Sequence, residues 1–361
     1  MVSARRLLHT SGTFQMMRGQ LIDPVIAYET WGHQNRDRDN TVLIFTGLSP
    51  NAHVASSPED ASAGWWEDMV GPDKPIDTNR YFVVCVNSLG SCFGSTGPAS
   101  NDPHTGQPYR LTFPVLCVED IAKAGAEVIR SLGIESVFAT VGASMGGMTA
   151  LAFCMLFPDV SRALVSISSA SRALPFSIAL RSLQREMIHK DPNWNNGNYP
   201  ADNGPVRGMR LARKLGMITY RSAQEWESRF GRERATDETV KVGPFGIDFE
   251  VESYLEAHAN KFIGAFDANC YLYLSRAMDL FDAADHGGEV AGGLSRVSVD
   301  RALVIGVETD FLFPLHQQRE LADGLGNTVS EVDFRPLASV QGHDSFLVDM
   351  DRFRPAVASF F

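Results

Sequence analysis

The chain lacks the cysteine spacing that a disulfide framework or a zinc site requires. Its five cysteines are scattered between Cys85 and Cys270, with no C-x-x-C pair and no Cys/His ligand spacing. An odd set of dispersed thiols is typical of proteins in a reducing compartment. We therefore expect a cytoplasmic location and no bound metal.

Long hydrophobic runs and an excess of positive charge are also absent. No apolar run reaches the roughly 18 residues that a membrane-spanning helix needs, so we expect no membrane association. The formal net charge of −11 disfavours nucleic acid as a partner, because binding to phosphates requires a basic surface. The basic N-terminus has no hydrophobic region behind it and predicts a plain cytoplasmic tail, with a mitochondrial presequence as the alternative.

The 361 residues, 44% of them hydrophobic, do carry a recurring strand–helix pattern. Short apolar, β-rich runs alternate with segments of helical periodicity such as 118–132 and 148–157, which predicts an α/β fold with a mainly parallel sheet. The predicted strands cover residues 25–30, 41–45, 81–86, 137–141, 163–167, 302–307 and 332–335.

The strand pattern stops between about residues 171 and 297. That segment has little β character and carries amphipathic stretches at 176–189, 206–217, 224–230, 249–266 and 269–281. A helical block that interrupts an α/β sheet predicts a cap over an active site. We therefore expect a core domain of residues 1–170 and 298–361 and a cap of residues 171–297.

One motif points directly to chemistry. Gly142-Ala-Ser144-Met-Gly146 lies between an apolar strand-like run and an apolar helix-like run. This arrangement predicts a nucleophile elbow, a sharp turn that raises a serine hydroxyl above the sheet. The alternative is a structural glycine turn without a catalytic serine.

A nucleophilic serine needs a base, and the base needs a carboxylate that orients it. In an elbow-type hydrolase these residues follow the serine in the order acid, then histidine. Asp310 lies in the loop after the predicted strand 302–307, and Glu308 is the rival carboxylate nearer to the strand.

His343 is the only histidine on a loop that follows a predicted strand beyond this acid. The other histidines after Ser144 fall in the predicted cap or at a helix start, and they are His189, His258, His286 and His316. We predict a triad of Ser144, Asp310 and His343.

The sequence also predicts an oxyanion hole. Its donors are expected to be the backbone N–H of Met145, directly after the serine, and that of Leu48, after the strand 41–45. The glycine and proline in Gly47-Leu-Ser-Pro50 suit a tight turn there, although an ordinary strand-end loop would have the same composition.

Further motifs along essentially the whole chain resemble the MetX-like acyltransferases, the homoserine O-acyltransferase family of α/β-hydrolase fold. The stretches that carry the resemblance include Gly64-Trp-Trp, Val86-Asn-Ser-Leu-Gly-Ser-Cys-Phe-Gly-Ser-Thr-Gly-Pro98, Phe266-Asp-Ala-Asn-Cys-Tyr-Leu, Asp310-Phe-Leu-Phe-Pro and Gly342-His-Asp-Ser-Phe-Leu.

The resemblance implies a ping-pong reaction with an acyl-CoA cosubstrate, no bound cofactor, and a homodimer. It also implies that Arg213 binds the carboxylate and Asp344 the ammonium group of an amino acid. Without the family resemblance, a solvated position on a helix explains Arg213 equally well. A local turn or a surface ion pair explains Asp344 equally well.

Departures from the homoserine enzymes look most like the branch that transfers succinyl from succinyl-CoA to L-serine for cysteine synthesis. They include Gly47-Leu-Ser-Pro-Asn-Ala-His53, so Ser49, Pro50, Asn51 and Ala52 are candidate specificity residues, and Arg181 is a candidate for the distal succinyl carboxylate. The alternatives are an L-homoserine O-acetyl- or O-succinyltransferase of methionine synthesis, and an esterase or thioesterase.

The sequence leaves two explanations for a basic stripe on one predicted helix. Arg207, Arg210 and Lys214 recur at helical spacing beside Arg213. The stripe could bind the phosphates of CoA, and a solvated helix face explains it at least as well.

Overall fold

The fold is built on one large twisted sheet, seen in a computed structural model that describes residues 4–200, 202–236 and 243–361. Within the described residues the strands are β1 (Arg6–His9), β2 (Thr13–Met16), β3 (Gly19–Ile22), β4 (Val25–Trp31), β5 (Thr41–Phe45), β6 (Val70–Gly71), β7 (Ile76–Asp77), β8 (Phe82–Val86), β9 (Ala139–Ala143), β10 (Ala163–Ile167), β11 (Arg301–Val307) and β12 (Glu331–Leu337).

Eight of these strands form the sheet, in the order β1-β4-β8-β5-β9-β10-β11-β12. The six from β8 to β12 run parallel, whereas β1 and β4 pair antiparallel at one edge. Strands β2 and β3 form a separate hairpin, and β6 and β7 a short parallel pair. The predicted α/β fold with a mainly parallel sheet is confirmed.

Helices cover both faces of the sheet and fill the connection between β10 and β11. They are α1 (Val118–Ser131), α2 (Met145–Leu156), α3 (Pro175–His189), α4 (Val206–Tyr220), α5 (Ala223–Phe230), α6 (Glu250–Phe262), α7 (Ala268–Leu280), α8 (Val290–Leu294), α9 (Leu315–Leu325), α10 (Ser345–Val348) and α11 (Met350–Ala358). Among the described residues, none of these helices has the length and apolarity needed to cross a membrane.

The central strands are buried on both faces, as their unbroken apolar runs require. Along β5, Leu43 and Phe45 join the core under α1 and α2, whereas Val42 and Ile44 join the core under α11. This alternation follows from the two-residue period of a strand.

All seven predicted strands are present, with ends shifted by up to two residues. In the described part of the segment between β10 and β11 lie the six helices α3 to α8, in agreement with the helical character predicted there. The division into a core and a cap at residues 171 and 297 stays a prediction. The sequence patterns missed β1 and the β2–β3 hairpin because each strand has only four residues, at least two of which are exposed.

The close approach of β9 and α2 leads to a prediction about Gly142. A Cβ at this position would lie 1.9 Å from the carbonyl oxygen of Gly146, which is backbone and has little room to move. We expect Gly142→Ala to lower the free energy of unfolding by about 3 kcal/mol or more.

Urea denaturation of purified protein measures this change. Gly326→Ala is the control, because its added Cβ would have an ordinary contact at 3.4 Å and its φ of −59° suits alanine. Equal free energies of unfolding for the two variants would show that the turn can accommodate a Cβ at position 142.

Candidate active site

Ser144 lies at the turn between β9 and α2 with φ of 55° and ψ of −125°. Such a conformation costs a non-glycine residue about 1–3 kcal/mol, so the surroundings must hold it. The Ser144 N–H donates to the Ile167 carbonyl at 2.9 Å, and the Ser169 hydroxyl donates to the Ser144 carbonyl at 2.8 Å. These bonds fix the strained turn that the Gly-x-Ser-x-Gly motif predicted.

A hydrogen-bonded chain joins Ser144 to His343 and Asp310. His343 Nε2 lies 2.8 Å from Ser144 Oγ, and His343 Nδ1 lies 2.7 Å from Asp310 Oδ2. The backbone N–H groups of Leu312 and Phe313 donate to Asp310 Oδ1 at 2.9 and 3.0 Å. Because Nδ1 keeps its proton and donates it in a hydrogen bond to Asp310, Nε2 is left free to accept the proton of the serine hydroxyl.

The structure separates the rival carboxylates and histidines. Asp310 is 3% exposed and bonded to His343, whereas Glu308 is an exposed residue at the end of β11. Of the rival histidines, His286 pairs with Glu119, His258 bonds to the Tyr254 carbonyl, His189 packs against Trp194, and His316 is exposed in the first turn of α9.

The electrostatics around His343 favour its protonated form. Burial by itself lowers the pKa of His343, but the charge of Asp310 and its hydrogen bond outweigh this and leave the pKa raised. Asp344 adds to the increase, and Arg181 opposes it. A positive imidazolium formed during a reaction is therefore stabilised at this position.

Ser144 opens into a cleft of about 840 Å³. The loop after β5 contributes Leu48, Ser49 and Pro50 to its wall, while Trp65 comes from a later loop. The helices α3, α4 and α7 contribute further wall residues, which are Leu180, Arg181, Gln184, Thr219, Tyr220, Tyr271 and Met278. The Met145 N–H is at the first position of α2, where a helix offers no acceptor of its own.

Arg181 reaches the cleft as part of a buried charged cluster. Its Nε and the Nη2 of Arg185 each lie 2.6 Å from one carboxylate oxygen of Asp279, whose side chain is 1% exposed. Arg181 Nη2 is buried and has no hydrogen-bond partner. Two guanidinium groups thus face a single carboxylate, and the cluster carries one uncompensated positive charge at the cleft.

Asp344 also lines the cleft, but it is paired with Arg221, a residue that sequence reasoning missed. Arg221 Nε lies 3.3 Å from Asp344 Oδ2, and its Nη1 donates to Gln341 Oε1 at 2.7 Å. Burial raises the pKa of Asp344, with Arg221, His343 and Arg213 opposing the increase.

Arg213 lies beside the cleft residue Tyr220 but does not itself line the cleft. Its guanidinium lies 4.7 Å from the Phe262 ring centre and 6.0 Å from that of Tyr220, and its Nε is buried without a partner. Tyr220, which does line the cleft, follows Arg213 by seven residues on the same face of α4. Helical spacing from Arg213 could have identified it.

Other candidate residues lie outside the cleft wall. Asn51 and Ala52 line a separate cavity of about 420 Å³. Arg210 and Lys214 both form ion pairs with Glu256, which leaves Arg207 as the exposed member of the basic stripe. This pairing favours the structural explanation of the stripe. In the part of the chain that the structure describes, no cluster of His, Cys, Asp and Glu could hold a metal ion.

Comparison with known sequences agrees with this geometry. The α/β hydrolase fold model matches residues 40–340. A serine O-succinyltransferase of Stenotrophomonas maltophilia (strain K279a) is 59% identical over 343 residues, 95% of this chain and 93% of that protein. An L-serine/homoserine O-acetyltransferase of Streptomyces lavendulae is 57% identical over 362 residues, 99% of this chain and 97% of that protein.

Solved structures of the α/β hydrolase fold are also similar to this chain. The homoserine O-acetyltransferase from Bacillus anthracis superposes with a TM-score of 0.90 at 26% identity, over 99% of this chain and 96% of that one. Esterase E22 reaches 0.88 at 26% identity over 99% of both chains. The chain belongs to the α/β-hydrolase-fold family. Within that family it is one of the MetX-like acyltransferases, as the sequence motifs predicted.

The chain of hydrogen bonds predicts different outcomes for the two rival carboxylates. Asp310→Asn places an amide donor opposite His343 Nδ1, which forces the wrong tautomer on the ring. We expect kcat to fall by about four orders of magnitude. Glu308→Gln is the matched control and should retain kcat within about twofold, because its side chain is exposed. Steady-state measurements give kcat for both variants. An equal decrease of kcat in both variants would contradict the assignment of Asp310.

The raised pKa of His343 predicts an acid limb in the pH profile. The base must be neutral to accept a proton, so activity is present above the raised pKa and is lost as the pH falls through it. We expect a midpoint above 6.5, the ordinary value for histidine. The rate of thiol release from acyl-CoA without an acceptor measures it. A midpoint below that value would contradict the role of Asp310.

Proposed function

We propose that this enzyme transfers a succinyl group from succinyl-CoA to the hydroxyl of L-serine, a reaction that serves L-cysteine biosynthesis. The observation that carries the proposal is the buried, partly unpartnered guanidinium of Arg181 at the catalytic cleft. The serine O-succinyltransferases of Stenotrophomonas maltophilia and Litchfieldella anticariensis, 59% and 56% identical to this chain, support it.

The charge of the Arg181 cluster argues for an acyl group with a carboxylate. An uncompensated buried charge is destabilising, and a ligand anion that pairs with it relieves the cost. The distal carboxylate of a succinyl group supplies this anion and offers an acceptor to Arg181 Nη2. An acetyl group would leave Arg181 Nη2 without a partner.

The first half-reaction follows from the chain of hydrogen bonds at Ser144. Its Oγ attacks the thioester carbon while His343 Nε2 takes the hydroxyl proton. The N–H groups of Leu48 and Met145 donate to the oxyanion of the tetrahedral intermediate. The C–S bond then breaks, the CoA sulfur takes the proton from His343, and Ser144 carries the succinyl ester.

The second half-reaction uses the same groups in reverse order. L-serine enters, His343 takes the proton of its hydroxyl group, and the oxygen of L-serine attacks the ester carbon of the acylated Ser144. The bond between that carbon and Ser144 Oγ then breaks, Ser144 Oγ takes the proton from His343, and O-succinyl-L-serine leaves. As the family resemblance implies, Arg213, beside the cleft wall, binds the amino acid carboxylate, and Asp344 binds the ammonium group. The ammonium group competes with Arg221 for Asp344, and the charge of Arg221 opposes the increase in the pKa of Asp344 that burial causes.

Location and assembly are part of the proposal. We expect the enzyme to act in the cytoplasm as a homodimer on small-molecule substrates. Exposed apolar side chains on the adjacent helices α3 and α4 support self-association, because Leu183, Leu211 and Ile218 are each 45% exposed.

Two alternatives have specific support. The Streptomyces lavendulae relative is named for acetyl transfer to serine and homoserine, and the similarity to esterase E22 favours hydrolysis on the same scaffold. Serine and homoserine differ by one methylene, which is worth only about 1–3 kcal/mol in a pocket.

A substrate matrix tests the proposal. Free thiol release is followed with succinyl-CoA or acetyl-CoA, each in the presence of L-serine, L-homoserine or neither. We expect the highest kcat/KM for succinyl-CoA with L-serine. Turnover confined to homoserine would reject the acceptor, and steady release without any acceptor would indicate a thioesterase.

The role of Arg181 has its own prediction. Arg181→Gln should raise KM for succinyl-CoA by about 10- to 100-fold, because a charged hydrogen bond to the carboxylate is lost. KM for acetyl-CoA should change by less than about threefold, since acetyl has no group for Arg181. Equal effects on the two donors would show that Arg181 is only structural.

A further inference from the structure

A second buried histidine, His53, lies outside the catalytic cleft and takes no part in the reaction above. Its Nδ1 lies 2.8 Å from Glu29 Oε2, and its Nε2 lies 2.9 Å from the Ser62 carbonyl oxygen. His53 is 8% exposed and Glu29, on β4, is 3% exposed. The pair thus connects the central sheet with two loops.

Both ring nitrogens of His53 face oxygen atoms, so the doubly protonated ring donates to Glu29 and to the Ser62 carbonyl. Burial by itself lowers the pKa of His53, but the Ser62 carbonyl and Glu29 outweigh it, and the pKa is raised. Asp60 adds a further negative charge near His53, and Arg5 lies near Glu29. The arrangement is a buried ion pair.

The backbone of His53 leads from this pair to the cleft. Its N–H donates to Asn51 Oδ1 at 2.9 Å, and its carbonyl accepts the Trp65 N–H at 3.2 Å. Trp65 Nε1 donates in turn to the Asn51 carbonyl at 3.0 Å. Trp65, which belongs to this network, and Pro50, which precedes Asn51 in the chain, both line the catalytic cleft.

Open space borders this segment on one side. The cavity described above, which is partly open to solvent, lies against Asn51, Ala52 and His53. A segment beside such a space can shift into it unless a directional interaction prevents the movement. The His53–Glu29 pair is the buried charged contact that anchors the segment to the sheet.

We infer that the His53–Glu29 ion pair is a positioning pair that fixes Pro50 and Trp65 in the cleft and thereby sets its preference for the shorter acceptor. This inference rests on the proposed function, because it names the acceptor end of the same site. Loss of the pair lets the segment move toward the cavity and widens the cleft. A wider cleft binds L-serine less well and loses its discrimination against L-homoserine.

The test uses His53→Gln and Glu29→Gln in the full-length enzyme. The matched control is His286→Gln, because His286 and Glu119 form a second buried pair at 2.8 Å, with side-chain exposures of 11% and 6% against 10% and 5% for His53 and Glu29. Three quantities are measured: KM and kcat for each acceptor, the serine-to-homoserine ratio of kcat/KM, and the burst of thiol release without acceptor.

In both test variants we expect KM for L-serine to rise by about tenfold and the ratio to fall by about tenfold, the range that one methylene can discriminate. The kcat for serine and the burst should stay within about threefold of the unsubstituted enzyme, because the triad is untouched. His286→Gln should leave the ratio unchanged. An unchanged ratio in both test variants, or an equal loss in the control, would overturn the inference.

A second readout does not depend on activity. Labelling the five tryptophans with ¹⁵N, and assigning Trp65 by Trp65→Phe, reports on its indole N–H. His53→Gln should shift this resonance and speed its exchange with water by about tenfold, whereas His286→Gln should not. An unchanged Trp65 resonance overturns the inference even where the substrate matrix supports the proposed function. A shifted resonance without succinyl transfer means that only the proposed function fails.

Discussion

The contact between three backbone segments around Ser144 is the constraint on which the site depends. The Cβ positions of Gly142 and Gly146 fall 1.9 and 2.3 Å from the carbonyl oxygens of Gly146 and Phe45. Only hydrogen atoms fit there, so β9, α2 and β5 close on one another and force Ser144 to a positive φ. The same turn begins α2 directly after Ser144, so the backbone N–H of Met145, a proposed oxyanion donor, belongs to the residue next to the nucleophile.

Buried charges organise the rest of the cleft. Asp310 orients His343, Asp279 holds Arg181 with one donor left over, and Arg221 holds Asp344. Each carboxylate has a positively charged or hydrogen-bonding neighbour before any substrate arrives, which offsets the cost of burying it. A dicarboxylic acyl group and a zwitterionic acceptor are the ligands that complement such a set of charges, and this complementarity links the geometry to the proposed chemistry.

Sequence reasoning succeeded where local pattern and chain order carry the information. Ser144 and the two flanking glycines form a local motif, and the order serine, acid, histidine selected Asp310 and His343 from many alternatives. Sequence reasoning was less successful for Arg210 and Lys214, because their partner Glu256 lies on another helix. It was also less successful for Asn51 and Ala52, which line a different cavity. No local sequence pattern indicates the roles of Arg221 and Asp279, because the residue with which each one pairs lies about 100 residues away in the chain.

The sequence by itself determined seven of the described strands, the elbow, the triad and the acyltransferase family, because short-range periodicity and motif order encode them. Tertiary structure alone decided which charges meet. The pairing of Arg181 with Asp279, of Asp344 with Arg221 and of His53 with Glu29 follows from how the helices between β10 and β11 and the loops after β5 pack on the sheet. Coulombic and hydrogen-bond energies depend on distances in space, and the positions of residues along the chain do not contain those distances.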